Sequence, residues 1–332
     1  MSEQLERRRD MKKFDVITIG DVNVDIVVEG CDKEPEYGRE MYVKDIASDV
    51  GGGAAICAMG TAPLGLKTAL CGILGNDPQS QYVLKLLKQY SVDTSFLTIA
   101  KQAKAGISIA LFGEKDRSFI TYPGTNNLFD IEKLDPKVFS CTRHVHITGY
   151  AGPKNHRQYV EFVRSLRKQG VSVSGDVGWD TTEKWDESIY EYINNLDLFF
   201  LNKTEALHYT RCPDVREALD LLSRHCSNVV IKLGPEGAIA KCGGRTAQEP
   251  TYDAAVVDTT GAGDSFNAGF LYGFLNHASL SACLKFGNAC GTSSVAKKGG
   301  RLNFKSSEEL NDFIAAHGGN GHPGEKRNDL SR

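Results

Sequence analysis

Two aspartates and two glycines stand close together in one stretch of the chain, Asp258 to Phe266 (DTTGAGDSF). The stretch follows a segment that we predict to be extended, Thr251 to Val257, and it precedes an apolar-periodic run that predicts a helix. Gly261 and Gly263 have no Cβ, so their backbone N–H groups can approach a ligand closely, and the start of the helix adds partial positive charge. We therefore predict an anion hole for a phosphoryl group, with Asp264 beside it to accept a proton from a substrate hydroxyl. The alternatives are a tight turn for the glycines and a helix N-cap for the aspartate.

Three polar residues alternate just after the first predicted strand, Phe14 to Gly20. Because the side-chain period of a strand is two, Asp21, Asn23 and Asp25 share one face of an extended segment. Open α/β sheets bind ligands at this end of their strands, and three polar groups on one face suit the hydroxyls of a polyol. The alternatives are a polar strand face and an Asx-turn.

Three consecutive glycines open another predicted helix, either to let the backbone approach a ligand or to let the helix pack tightly on the sheet. These glycines are Gly51, Gly52 and Gly53. Further along, two period-two runs between Ser95 and Tyr122 are separated by the turn Gly113 to Arg117, which predicts a β-hairpin. A hairpin inserted among strands and helices is typical of a lid.

The rest of the chain must position these motifs. From Arg143 to a last helix near Ser306, predicted strands alternate with predicted helices. This alternation predicts an α/β fold with a parallel sheet covered by helices on both faces. We expect one domain over residues 13–317, with lid segments at about 24–48 and 96–122, a disordered leader at 1–12 and a disordered tail at 318–332.

The composition argues against several classes of function. The net charge is −3, so no strong basic field attracts nucleic acid or an anionic membrane. No apolar stretch is long enough to span a bilayer or to act as a signal peptide, and we expect a cytoplasmic protein. The nine cysteines include no Cys-x-x-Cys pair, which favours reduced core thiols over disulfides or a zinc site. His144 and His146 alternate on a predicted strand, and we expect core histidines there rather than metal ligands.

With these motifs in this order, the chain resembles the ribokinase-like (PfkB) carbohydrate kinases from about Phe14 to His317. Gly51 to Ala55 resembles the N-terminal signature of that family, Asp258 to Phe266 resembles its C-terminal signature, and Asn202-Lys-Thr-Glu205 resembles its Asn-x-x-Glu element. The resemblance implies a three-layer α/β/α fold with a mainly parallel central sheet and a small β-sheet lid. It also implies a kinase that uses ATP and Mg²⁺.

The resemblance further implies roles for individual residues. Asp264 would be the base, and the anion hole would be formed by Gly261, Ala262 and Gly263. Glu205 would act on Mg²⁺, largely through water, although the alternative for this segment is an exposed helix start. The nucleotide-binding residues would be Asn202, Lys232, Gly234 and Asn288. The resemblance leaves open a monovalent cation such as K⁺, at a loop whose matching residues are Asp258, Thr260, Ser294, Lys297, Gly299 and Asn303.

The identity of the acceptor is left open. By the resemblance, Asp25 would hold two hydroxyls of a sugar, beside Asp21 and Asn23 and above the glycines that start at Gly51. Ile56 stands where many sugar kinases of the family have an asparagine, which favours a different sugar or a nucleoside. We expect the hydroxymethyl group of a small sugar to be phosphorylated, with a nucleoside as the alternative acceptor. A catalytically silent binding regulator would be expected to have lost residues of the motifs, and all are present.

The lid bears on that choice. A nucleoside base would stack on lid aromatics, for which Phe112, Phe119 and Tyr122 are the candidates. Arg117 would suit an acidic acceptor or be solvated. Two residues at predicted strand ends, Tyr150 and Asp176, would border the acceptor site or only pack loops. The open edge of a small lid sheet is also compatible with a homodimer formed through the lid.

Overall fold

The structure is a computed structural model, and it describes residues 12–31, 33, 35–113, 117–150, 155–180, 182–296, 299 and 301–317. Residues 1–11 of the predicted leader and the whole predicted tail, 318–332, lie outside the described residues. Lys297 and the side chain of Arg117 lie outside them as well.

The described residues form two β-sheets. Their strands are β1 (Phe14–Ile19), β2 (Asn23–Glu29), β3 (Asp45–Gly51), β4 (Thr68–Gly75), β5 (Asp93–Ala100), β6 (Gly106–Phe112), β7 (Arg117–Tyr122), β8 (Thr142–Tyr150), β9 (Ser172–Val177), β10 (Leu198–Asn202), β11 (Asn228–Lys232), β12 (Ala238–Cys242) and β13 (Arg245–Glu249). The larger sheet has the order β13-β12-β11-β10-β9-β8-β1-β4-β5. Its strands pair in parallel except for β12 and β13, which join antiparallel at one edge. The strand order reverses between β1 and β8, so the carboxyl ends of these two strands flank a crevice where α/β sheets bind ligands.

Helices cover both faces of the larger sheet. They are α1 (Gly53–Thr61), α2 (Pro78–Gln89), α3 (His156–Lys168), α4 (Ile189–Ile193), α5 (Lys203–Thr210), α6 (Val215–Leu222), α7 (Ala262–Leu275), α8 (Leu280–Val295) and α9 (Ser307–His317). Strand β10 is buried on both sides: Leu198 and Phe200 pack in one core with α7 and α8, whereas Phe199 and Leu201 pack in another with α3 to α6. The predicted three-layer α/β/α fold is therefore confirmed. Within the described ranges, no helix is long and apolar enough to cross a membrane.

The smaller sheet forms the lid, in the order β3-β2-β6-β7 among the described residues. The hairpin β6–β7 is as predicted, but the predicted lid segment 96–122 begins too early. Residues 96–100 belong to β5, which extends the large sheet by pairing with β4. The reason is packing: the ring of Phe96 lies against Phe14 and Phe139 in the main core, with ring centroids 5.8 and 5.6 Å away.

The segment before the glycine motif is also not a strand. Between Thr251 and Val257 the backbone joins neither sheet. Instead, the side-chain amide of Asn288 donates hydrogen bonds to the carbonyl oxygens of Glu249 and Pro250, and the N–H of Val257 donates to the carbonyl of Val295 at 2.8 Å. Helix α8 therefore takes the place of a neighbouring strand in holding this segment.

Candidate active site

The glycine motif forms the start of α7. Gly261 is the N-cap residue, and its φ of 68° lies in the left-handed region that favours glycine. Asp264 lies in the first turn of the helix, so the alternative that it is the N-cap is wrong. A Cβ added at Gly263 would lie 3.2 Å from Lys232 Nζ, and one added at Gly53 would lie 2.8 Å from Asp264 Oδ1. Both glycines therefore keep space free around the predicted anion hole and base.

The carboxyl of Asp264 has an unusual protonation equilibrium. Its pKa is raised to about 7, chiefly by burial and next by the neighbouring carboxylate of Asp176, whereas the ammonium of Lys232 lowers it. Asp25 also raises the pKa of this group. A carboxyl with a pKa near neutrality is a much better proton acceptor at physiological pH than an ordinary aspartate.

Lys232 lies beside this centre in a buried ion pair. Its Nζ is 2.9 Å from Asp176 Oδ2 and 3.3 Å from Asn267 Oδ1. The side-chain amide of Asn267 also donates to Asp176 Oδ2. The sequence predicted Lys232 as a nucleotide-binding residue but indicated neither partner. Both ends of the ion pair lie at carboxyl ends of strands, since β9 ends beyond Asp176 and β11 ends at Lys232.

Asn202 and Glu205 form a capping box at the start of α5. The Oδ1 atom of Asn202 accepts from the N–H of Glu205 at 2.8 Å, and Glu205 Oε2 accepts from the N–H of Asn202 at 2.8 Å. The segment is thus a capped helix start, but Glu205 is only 5 % exposed and lines the same cavity as Asp264. Burial raises the pKa of Glu205 to about 7, with the charge of Asp176 as the next cause.

Two cavities meet at this point. The first, which we call the polar cavity, has a volume of about 460 Å³ and is lined by Asp21, Thr148, Asp176, Asn202, Glu205 and Asp264, among others. The second, which we call the apolar cavity, has a volume of about 380 Å³ and is lined mainly by apolar groups that include Tyr252, Val256, Ala262, Phe266, Asn288 and Val295. Lys232, Gly234 and Gly263 line both cavities. The predicted nucleotide-binding residues therefore fall on two connected cavities, with Asp264 at the junction.

Of the predicted acceptor residues, Asp21 and Gly53 line the polar cavity, whereas Asn23 and Asp25 lie on strand β2 of the lid. Asn23 Nδ2 donates to Asp25 Oδ1 at 2.7 Å, which shows that the two side chains share a face of β2 as predicted. A Cβ at Gly51 would lie 2.0 Å from Asp25 Oδ1, and one at Gly52 would lie 2.3 Å from the carbonyl oxygen of Asp21. These two glycines thus make room for the predicted acceptor side chains. Burial raises the pKa of Asp25 to about 7.

Some residues of the predicted cation loop converge on Asp258, which is 1 % exposed. Its carboxylate accepts from the N–H groups of Thr260 at 2.9 Å and Gly299 at 3.1 Å. Ser294 instead donates to a carbonyl within α8, and Asn303 donates to Ser293.

An ion pair that the sequence did not indicate lies next to this loop. Arg301 contacts the buried carboxylate of Asp49 on β3, and a Cβ at Gly299 would lie 2.2 Å from Asp49 Oδ2.

The lid aromatics do not share one face. Asp25 pairs with Ser108 in β6, and Ala110 and Phe112 follow Ser108 on the same face of that strand. Phe119 pairs with Ala110. Phe119 and Phe112 therefore lie on the face of the lid that carries Asp25. Tyr122 pairs with Ile107 and therefore lies on the opposite face. The prediction that Tyr122 could cover an acceptor is wrong, because a shift of one residue in a strand reverses the face.

Three other predicted residues lie in packed surroundings. Ile56 is buried in α1. Tyr150 stacks on Tyr192 with ring centroids 4.5 Å apart and hydrogen-bonds to His156, so it packs in the core rather than bordering the acceptor site. Asp176, in contrast, lines the polar cavity.

The two alternating histidines are core residues. His144 and His146 both contact Ser174 Oγ at 2.7 Å, and burial lowers the pKa of each to about 3, so both are neutral. No group of residues within the described part of the chain has the arrangement of a metal-binding cluster of His, Cys, Asp and Glu.

Comparison with known proteins identifies the family of this chain. The sequence profile of the pfkB family carbohydrate kinases matches residues 13–306. The chain belongs to this family. An uncharacterized sugar kinase of Archaeoglobus fulgidus is 30% identical over 247 residues, which are 73% of this chain and 97% of that protein. The 5-dehydro-2-deoxygluconokinase of Listeria monocytogenes is 27% identical over 322 residues, covering 92% of this chain and 97% of its own.

A solved structure of this fold is similar over most of the chain. The ribokinase of Arabidopsis thaliana, complexed with ribose and ATP, superimposes with a TM-score of 0.77 at 24% identity, covering 90% of this chain and 98% of that one. This pfkB-family protein is therefore an enzyme, a kinase of the class that acts on sugars or nucleosides.

Proposed function

We propose that this kinase transfers the γ-phosphoryl group of ATP to the hydroxymethyl group of a small sugar, with Asp264 as the base. The observation that carries the proposal is the junction of the two cavities at Gly263 and Lys232, with the Asp264 carboxyl beside it. An apolar cavity suits a nucleobase, and a polar one suits phosphates and a polyol. The transferred group would then lie at the start of α7, where backbone N–H groups favour an anion.

The proposed reaction is an in-line displacement. Asp264 accepts the proton of the acceptor hydroxyl, whose oxygen forms a bond to the γ-phosphorus while the bond from that phosphorus to the β–γ bridging oxygen breaks. The products are the phosphorylated acceptor and ADP. The backbone N–H groups of Gly261, Ala262 and Gly263 would stabilise the charge on the transferring group.

The residues present fit a divalent cation. Asp176 Oδ1 is buried without a hydrogen-bond partner among the described residues, and the capping box engages one of the two carboxylate oxygens of Glu205. Carboxylate oxygens with room for water are the ligands that Mg²⁺ prefers. Glu205 would hold Mg²⁺ largely through water, and the bound ion would neutralise charge on the nucleotide phosphates. A monovalent cation at the Asp258 loop is supported by the hydroxyl of Thr260, which is buried without a partner in the described residues.

A nucleoside is the second candidate acceptor. Two observations favour it. Phe119 lies on the face of the lid that carries Asp25, and Ile56 stands where many sugar kinases of the family have an asparagine. An aromatic ring over the acceptor would stack on a base, whereas a sugar does not need it.

Association through the lid is part of the proposal. The face of the lid opposite Asp25 exposes Ile46, Ile120 and Tyr122, which are 59%, 55% and 52% exposed. Burying these side chains against a second copy would remove apolar surface from water. Sedimentation at micromolar concentration tests this point, and Ile120→Glu should shift a dimer toward monomer.

The acceptor panel tests the proposed function directly. Purified protein with ATP and Mg²⁺ is assayed for ADP formation with pentoses, hexoses, sugar acids and nucleosides. We expect acceptor-dependent ADP formation with one class and a matching thermal stabilisation by that acceptor. ADP formation that no acceptor increases, in protein that binds ATP, would contradict the proposal.

A further inference from the structure

The ion pair between Asp176 and Lys232 is built into the floor of the site. It spans β10, because Asp176 lies on β9 and Lys232 ends β11. The side chain of Lys232 is 14% exposed and that of Asp176 is 8% exposed. Asn267 on α7 completes the group by contacting both charged side chains. The pair therefore lies between the sheet and the helix that carries Asp264.

Stability alone does not explain this ion pair. Removing two charges from water costs free energy that their attraction roughly balances, so a buried pair is often no more stable than apolar residues of the same volume. The same position is well suited to an electrostatic task, because charges act strongly where water is scarce. Asp176 lines the polar cavity, and its Oδ1 is buried without a hydrogen-bond partner in the described part of the chain, so the ion pair does not satisfy all of its own polar atoms.

The pair surrounds Asp264 with charges of both signs. Asp176 raises the pKa of Asp264 and Lys232 lowers it, so the two charges act on Asp264 in opposite directions. The other ionisable groups that influence or are influenced by Asp264 are Asp25 on β2, Glu205 on α5 and Cys57 on α1.

We propose that Asp176 and Lys232 are positioning residues that act through Asp264, their opposite charges determining how much of Asp264 is present as carboxylate when the acceptor hydroxyl arrives. This inference rests on the proposed function, since it concerns the same base. Lys232 favours the carboxylate form that accepts the proton. Asp176 fixes the ammonium beside Gly263 and prevents it from forming a direct, basicity-lowering pair with Asp264.

The test is the pH dependence of kcat/KM in single and double variants. The activity should rise with pH as Asp264 ionises. Asp176→Asn should move this rise to lower pH by about one pH unit, and Lys232→Met should move it to higher pH by about one. The double variant, which keeps the charge balance, should return close to the original profile. Asp220→Asn is the matched control, because it breaks an exposed Lys–Asp pair with Lys241 and should move nothing.

Shifts in opposite directions are a result that a merely structural role would not give. Equal losses of activity at every pH, with the rise unmoved in both single variants, would overturn the proposal. If Lys232→Met does not fold, comparing Asp176→Asn with the double variant isolates Lys232 in a background without the opposing charge. There the profile should move to higher pH, and an unmoved profile overturns the proposal.

A second readout separates this inference from the proposed function. The pH dependence of unfolding, measured with and without Asp264→Asn in each background, reports the titration of Asp264 without turnover. If the protein phosphorylates no acceptor, the proposed function fails. The titration of Asp264 still shows whether the Asp176 and Lys232 variants shift it in opposite directions. If turnover occurs and the titration of Asp264 is the same in all backgrounds, the inference alone fails.

Discussion

Asp264→Asn should stabilise the fold at alkaline pH while it removes the proposed base. The pKa of Asp264 in the folded state is about 7, above the usual 3.8 that applies when the chain is unfolded. At pH values between these two, the folded state therefore holds a proton that the unfolded state has released. The stability that Asp264 contributes is fully present below the lower pKa and is lost as pH rises through the higher one. A difference of about three pH units corresponds to about 4 kcal/mol. Because Asp264 is partly reached by water from the polar cavity, we expect about 2–4 kcal/mol at pH 8.

The measurement is urea unfolding of both proteins at several pH values. The gain from Asp264→Asn should be largest at pH 8 and fall to below about 1 kcal/mol near pH 4, where the folded aspartate is protonated and the unfolded one is partly protonated. Asp312→Asn is the control, since it neutralises an exposed carboxylate on α9. A gain that does not vary with pH, or a loss of stability at pH 8, would refute the claim that Asp264 is an electrostatically strained carboxyl.

Three further predictions concern the same centre. Glu205→Gln keeps the capping box, because glutamine also accepts the N–H of the N-cap residue, so the melting temperature should change little. The Mg²⁺ concentration for half-maximal rate should rise severalfold or more. An unchanged Mg²⁺ dependence would remove Glu205 from the site. Gly53→Ala places a Cβ 2.8 Å from Asp264 Oδ1 and should lower kcat by about tenfold to a hundredfold with ATP affinity retained, as measured by calorimetry and turnover. Phe119→Ala should raise KM for nucleosides by roughly tenfold if a base stacks there, with Tyr122→Ala as the control on the opposite face, and equal effects of both would exclude stacking.

The sequence predicted the fold because the decisive signals are local. Buried strands and amphipathic helices alternate regularly after Arg143, and caps such as Asp77 at α2 and Asn202 at α5 mark helix starts. The sequence could not decide which of the two sheets a given strand joins. The period-two run around Phe96 fits either sheet, and only packing against Phe14 and Phe139 assigns it to the larger one.

The site divides in the same way. The backbone around Gly261 and the proposed base Asp264 lie in one contiguous motif, so their proximity follows from the sequence alone. The contact between Lys232 and Asp176 does not follow from the sequence. Asp176 is far away in the chain and reaches Lys232 only through the order of the strands. Arg301 is a similar case, since its contact with Asp49 depends on how the loop after α8 meets the lid.

The most direct test of the account is turnover by Asp264→Asn with the acceptor that the panel identifies. We predict that kcat falls by several orders of magnitude while ATP binding, measured by calorimetry, stays within a few-fold of the original protein. Near-normal turnover in this variant would contradict the assignment of Asp264 as the base.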